Sequence, residues 1–274
     1  MRKCIDLLKK SPMITCIVGL VVTVGGMKIL SAGDGDLLKM VALRVLLFLS
    51  MCVFIYLISG EKVFENCHTT TGYVVKWELW TMVYFIIMFP VHFFSGKSPA
   101  ANWPTRVILS ILVCLLVGLY EETTFRVLIN DAILYKYRNS KHVFVWIAII
   151  SSFIFGAVHV ITPSLFGSPA VLGMAALKIL SVGIFGFCLL ILYWKTRNIW
   201  GIAIAHALYD GLSVVPNAIY NDTSDIGSSD MYVKTGSNEI AAYIFLIVIM
   251  SIAATIIWRK VGRKIDFDEI RKTW

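Results

Sequence analysis

The run Glu121-Glu122-Thr123-Thr124-Phe125-Arg126 sets three formal charges inside a stretch that otherwise reads as membrane-spanning helix. A charged side chain at the centre of a bilayer costs at least ~2.5–3.5 kcal/mol on insertion scales, so such groups face a cavity and have partners. Two further polar sites interrupt apolar segments: His159, four residues after Phe155, and His206, four residues before Asp210. Carboxylates and imidazoles buried together in a membrane point to acid–base chemistry.

Positions four apart lie on one face of a helix, so Glu122 and Arg126 can form an internal ion pair. Taken alone, that pair serves equally well to orient the helix. Glu121 points roughly 100° away and cannot share the same geometry with Arg126. Two adjacent carboxylates repel in a low dielectric, so a division of labour is expected. Arg126 neutralises Glu122, and Glu121 is available as a base. His206 and Asp210 also share a face, where an aspartate can fix an imidazole's tautomer. Each histidine alone reads as a packing residue; three such sites together do not. Rough depths from the cytoplasmic helix ends are ~21 Å for Glu121, ~25 Å for His159, ~12 Å for His206 and ~18 Å for Asp210. Spacing therefore leaves them about two turns apart.

The elements that must position these groups are membrane helices. Of 274 residues, 58% are hydrophobic and 15% charged, with a mean hydropathy of +0.79. Soluble domains average ~45–50% apolar and ~25% charged, so this composition specifies an integral membrane protein. The net charge of +8 sits in short clusters at segment ends. That is the pattern of membrane topology, not of a nucleic-acid-binding face. The six cysteines have no CxxC spacing and read as small apolar fillers. The basic start and first apolar run resemble a signal peptide, with Ser31-Ala32-Gly33 as a weak cleavage site. The run is long for that purpose, and a retained first helix is expected.

Spans of about 17–25 apolar residues are expected at 13–30, 40–59, 74–94, 107–134, 142–161, 171–194, 198–215 and 240–258. Lys76 and Glu78 count against the third. The fourth is longer than a bilayer requires and should continue past Arg126 as a cavity-lining helix. With the N-terminus in the cytoplasm, sixteen Lys and Arg fall inside, four outside and five within spans. The asymmetry places both termini inside. Arg44 and Lys178 are expected to snorkel toward a headgroup region. His68, His92 and His142 receive no role. Asn221-Asp222-Thr223 is a formal glycosylation sequon in an external loop spanning roughly 216–239. The fold expected is all-α: a polytopic bundle of about eight transmembrane helices, with no soluble domain. It divides into 1–104 (helices 1–3), 105–215 (a catalytic core, helices 4–7) and 216–274 (external loop, last helix and basic tail).

In order, Glu-Glu-x-x-Phe-Arg, Phe-x-x-x-His and His-x-x-x-Asp on successive membrane helices resemble the CPBP family. That group includes CAAX prenyl endopeptidases of the Ras-converting type and bacteriocin-processing or abortive-infection (Abi) membrane proteases. The resemblance covers roughly 105–215 and implies an intramembrane endopeptidase. By that resemblance Glu121 and His159 activate the attacking water, while His206 and Asp210 stabilise the oxyanion. Glu122, Arg126 and Phe155 support the site. Two positions depart from the pattern. Val127 stands where glycine often follows the motif arginine, and Asp210 stands where asparagine is common.

An ionised Asp210 would repel an oxyanion, so it is neutral, paired with His206, or used otherwise. Metal binding is one such use. Glu121, His159 and His206 would give zinc or another divalent metal two histidines and a glutamate, with a position open for water. No HExxH is present, and water activation without a metal is the first expectation. A non-catalytic membrane partner, such as an immunity or regulatory protein, is the alternative function. A proton-coupled transporter ranks lower, for want of inverted repeats or paired broken helices. The motif flavour resembles bacterial members, which makes leader peptides or peptide pheromones the expected substrates ahead of prenylated proteins. The expected setting is the cell membrane, with membrane lipid and a peptide or protein substrate as partners.

Overall fold

The computed structural model describes residues 10–31, 37–60, 62–65, 69–93, 98–161, 168–220 and 237–273. Among these the secondary structure is helical, with no strand. The helices are α1 (Pro12–Ser31), α2 (Leu37–Ser59), the single turn α3 (Lys62–Glu65) and α4 (Thr71–Phe93). Next come α5 (Trp103–Glu122), a π-helical segment (Thr123–Leu128), α6 (Ile129–Tyr137) and α7 (Val143–Val158). They are followed by α8 (Pro169–Thr196), α9 (Ile199–Tyr220), α10 (Ser237–Lys260), a 3₁₀ turn (Gly262–Lys264) and α11 (Phe267–Thr273). Cys4, Ala32, Gly33, Cys67, His68, the His92 side chain and the sequon at Asn221 lie outside the described residues.

Apolar helices stand at all eight expected places. Six are long and apolar enough to cross a membrane, whereas Pro12–Gly26 and Val143–Val158 are shorter apolar stretches. The chain is a multi-pass membrane protein. The span expected to end at 161 stops at Val158, because His159 N–H and Val160 N–H bond back to the carbonyls of Gly156 and Ala157. These tight turns close the helix and leave His159 as its terminal cap. The third span, doubted for its charges, is helical from Thr71 and contains Pro90. α9 runs to Tyr220, beyond the expected loop boundary.

The core is built around the long helical rod from Trp103 to Tyr137. Every residue from Tyr120 to Leu134 is buried, as is every residue from Cys188 to Trp194 on α8. A helix buried on all sides belongs in the middle of a bundle. Val21, Leu46, Ile87 and Phe153 instead project outward from other helices, and Ile108 from the first turns of the rod. In a bilayer such apolar surfaces meet lipid and need no protein cover. α5 packs against α9 and α2, α9 against α4, and α8 against α7 and α10. Tyr120 ties α5 to α1 by donating its hydroxyl to the Thr23 carbonyl at 3.0 Å. Past the π segment, Trp194 Nε1 donates to Asn130 Oδ1 at 2.8 Å, Asn130 Nδ2 donates to Asp131, and Ser59 donates to Asp131. That network fixes α6 against α8 and α2.

Two glycines set how closely the site-bearing helices approach. A Cβ on Gly118 would lie 2.3 Å from the Ala203 carbonyl oxygen, and one on Gly156 would lie 2.3 Å from that of Ile179. Small residues at such crossings let backbones meet. Gly118 brings α5 onto α9 one turn before Glu121, and Gly156 brings α7 onto α8 just before His159. Gly118→Ala is expected to cost about 1–3 kcal/mol through forced separation of backbones. Gly173→Ala, with nothing within 4 Å of the added carbon, serves as control. Thermal unfolding of the purified protein in detergent should show a lowered Tm for the first variant only.

Candidate active site

α5 delivers Glu121 and Glu122 and then widens into the π segment. A wider turn loosens the carbonyls of the preceding turn, and two threonines satisfy them. Thr123 Oγ1 donates to the carbonyls of Leu119 and Tyr120 at 2.7 and 2.9 Å, and Thr124 Oγ1 donates to that of Tyr120 at 2.8 Å. π-bulges of this kind gather at functional sites. The paired threonines were the available sequence signal, since their hydroxyls back-bond helical carbonyls. The sequence reading instead expected an uninterrupted helix.

Glu122 is the hub of the buried polar cluster. Its Oε2 accepts from Arg126 Nε at 2.9 Å and its Oε1 from His206 Nδ1 at 2.8 Å. Arg126 Nη1 reaches Ser151 Oγ at 3.4 Å, and Ser151 Oγ donates to the Phe125 carbonyl at 2.8 Å. The guanidinium also lies 4.4 Å from the centre of the Phe155 ring. Glu122 and Arg126 are fully buried. Buried ions persist only where geometry and added hydrogen bonds offset desolvation. The expected pair is therefore part of a three-residue bridge, with His206 as the third member.

Glu121 faces the other way. Its Oε2 lies 3.8 Å from His159 Nε2 and 3.9 Å from His206 Nε2. These separations exceed direct hydrogen-bonding range but suit a water or substrate atom set between the groups. His159 Nδ1 lies 2.6 Å from the Phe155 carbonyl. A carbonyl only accepts, so Nδ1 carries the hydrogen and a neutral ring presents its Nε2 lone pair to Glu121. His206 donates Nδ1–H to Glu122 Oε1, which turns its Nε2 toward Glu121. Asp210 Oδ2 stands 3.5 Å from His206 Nε2. Phe155 stacks edge-on against His159 at 4.9 Å and His206 at 6.0 Å, and Phe185 against His206 at 5.3 Å. The two-turn spread in depth is thus closed by tertiary packing.

These groups open onto a cavity of about 380 Å³, whose walls include Glu121, His159, His206 and Asp210. Lys178 lines the same cavity and is buried, as is Arg44. Neither snorkels as expected, because each sits on a face turned into the bundle. Among the described residues, no three of His, Cys, Asp and Glu are arranged to hold a metal ion. Glu121, His159 and His206, the set considered for zinc, share one cavity wall.

The sequence reading missed Glu78. This α4 carboxylate is fully buried, and its Oε1 accepts from Thr81 Oγ1 at 2.7 Å. Its Oε2 is buried with no hydrogen-bond partner among the described residues. It lies close enough to Glu122, Arg126 and His206 to act on them electrostatically. The signal was present: an intramembrane carboxylate is a functional candidate by default. Its place near a span end hid it.

Arg126→Met tests the bridge. It strands a buried carboxylate and should destabilise the protein by roughly 3–5 kcal/mol. The double variant Arg126→Met with Glu122→Gln should recover part of that loss, measured by thermal or denaturant unfolding. Equal losses in both would deny the coupling.

No curated protein and no solved structure matches this chain. One family model does match, over residues 102–212; its description is type II CAAX prenyl endopeptidase Rce1-like. The matched stretch begins one residue before α5 and ends within α9, so it holds Glu121, Glu122, Arg126, His159, His206 and Asp210. It leaves out α4 and its Glu78. Over residues 102–212, therefore, this membrane bundle with its carboxylates and imidazoles around one cavity is similar to the Rce1-like family of CAAX prenyl endopeptidases.

Proposed function

We propose that this protein is an intramembrane endopeptidase that hydrolyses a peptide bond in a membrane-associated protein or peptide. The observation that carries the reading is the convergence of Glu121 Oε2 on His159 Nε2 and His206 Nε2, at 3.8 and 3.9 Å, on the wall of one cavity. In this mechanism a water lies between Glu121 and His159. Glu121 takes its proton as the hydroxyl attacks the scissile carbonyl, and His159 orients the water through Nε2. The proton then passes to the leaving amine. His206, as an imidazolium whose Nδ1–H is bonded to Glu122, donates its Nε2–H to the developing oxyanion. Preorganised donors in a dry cavity stabilise such charge strongly. Asp210, whose Oδ2 lies 3.5 Å from His206 Nε2, balances the charge of that imidazolium beside the oxyanion. Glu122 and Arg126 are positioning residues.

The reading uses no metal. It places the protein in the cell membrane with both termini cytoplasmic, supported by the distribution of Lys and Arg. The family description names prenylated CAAX substrates. For this chain the substrate class is kept at membrane-associated peptides, with leader peptides and peptide pheromones first to be tried.

Glu121→Ala and His159→Ala should each lower processing by at least about 10²-fold, the scale of lost acid–base catalysis, while membrane insertion stays intact. Comparing membrane and secreted peptides from cells carrying wild type or Glu121→Ala identifies the substrate. Normal processing in both variants would sink the catalytic reading and favour a non-catalytic partner. In a separate assay, chelators should leave cleavage by the purified enzyme unchanged. Loss on chelation with rescue by zinc would restore a metal mechanism.

A further inference from the structure

A second cavity, of about 770 Å³, lies at the opposite side of α8 from the active site, between α7, α8 and α10 with α11 across its end. Its charged lining consists of Lys141, Arg259, Arg263 and Arg271, with no carboxylate. Below them the walls are aromatic. Phe144 packs on Trp194 and Phe267 at ring distances of 5.5 and 4.5 Å, and Phe187 stacks on Trp258 at 6.5 Å. Val145, Ala148 and Ile149 complete the apolar side.

The basic end is built, not merely crowded. The Arg271 guanidinium lies 5.4 Å from the centre of the Phe144 ring, and its Nη2 donates to the Lys141 carbonyl at 3.5 Å. Arg271 Nε is buried with no hydrogen-bond partner among the described residues. The nearby Asp266 carboxylate is engaged elsewhere, accepting from the backbone N–H groups of Asp268 and Glu269. It caps α11.

The apolar end continues. A further groove of about 360 Å³ shares Ala148, Ile149 and Phe187 with the first and runs on past Phe153 and Leu180. From Trp194 to Leu180 along α8 is roughly 21 Å at 1.5 Å per residue. Lys and Arg beside tryptophan mark the headgroup level of a bilayer, so this track descends from headgroups into hydrocarbon.

We propose that this groove is a binding site for one anionic phospholipid. The phosphate sits among Arg259, Arg263 and Arg271, and an acyl chain lies along α8. An amphiphile with a negative head matches a cavity with four cations at one end and apolar walls beyond. Basic pockets between membrane helices bind such headgroups. A bound lipid clamps α10 to α7 and α8 from the face opposite the catalytic cavity.

The test uses the purified full chain in detergent and native mass spectrometry of lipid adducts. Dioleoylphosphatidylglycerol should bind at least about tenfold more tightly than dioleoylphosphatidylcholine, with each neutralised cation adding to the difference. Arg259→Gln with Arg263→Gln, both exposed, should erase that preference without lowering Tm in the absence of lipid. Thr255→Trp, which fills the exposed α10 wall, should weaken both lipids. Equal binding of the two lipids, or an undiminished preference in the double variant, would overturn the proposal. So would glycerol 3-phosphate competing at the same concentration as the whole lipid, which would mean a free-phosphate site. A glutamate-rich peptide displacing the lipid at similar concentration would make the surface a peptide dock and overturn it as well.

Discussion

A single carboxylate, Glu122, fixes most of what surrounds it. Buried away from water, it needs a counter-charge and a hydrogen-bond donor for each oxygen. Arg126 satisfies Oε2 and His206 satisfies Oε1. Arg126 belongs to the π segment, and His206 to α9. Through Ser151 and Phe155, Arg126 also reaches α7. One ionised group therefore links three helices whose apolar faces alone would pack in several registers. Hydrogen bonds in a low dielectric are strong when complete and costly when broken, which makes the arrangement selective.

The consequences follow outward from that bridge. With His206 held at Nδ1, its Nε2 can only face the cavity. With Glu122 occupied, the neighbouring Glu121 projects to the other side of the helix and meets both histidines. The π turn lets two threonines absorb loosened carbonyls within the buried rod. Gly118 and Gly156 remove the side chains that would otherwise hold α5 from α9 and α7 from α8. His159 ends its helix instead of continuing it, so its ring swings toward Glu121 under the grip of the Phe155 carbonyl.

The bundle is also asymmetric in charge. The cavity at Glu121 collects carboxylates and imidazoles, whereas the groove behind α8 collects arginines over an aromatic floor. α8 separates them, its Phe185 facing the histidines and its Phe187 and Trp194 facing the basic groove. A peptide-cleaving centre and a lipid clamp on two sides of one helix would place catalysis under the influence of the surrounding membrane.

By itself the sequence determined the membrane class, the places of the helices and most of the candidate site residues. Those properties are local: hydropathy sets spans, and a charge within a span marks a site wherever the chain goes. Glu122 and Arg126 were legible as a pair because four residues make one turn. What only the tertiary structure decided was everything that depends on where one helix meets another. Reckoned along separate helices, Glu121, His159 and His206 stood two turns apart; packing brought both histidines within 4 Å of Glu121. Lys178 looked like a snorkelling lysine and Glu78 like a flaw in a span, since linear position gives depth but not facing. The third partner of Glu122 was likewise invisible, because His206 lies 84 residues away. Spacing specifies a face, and only the fold specifies what that face meets.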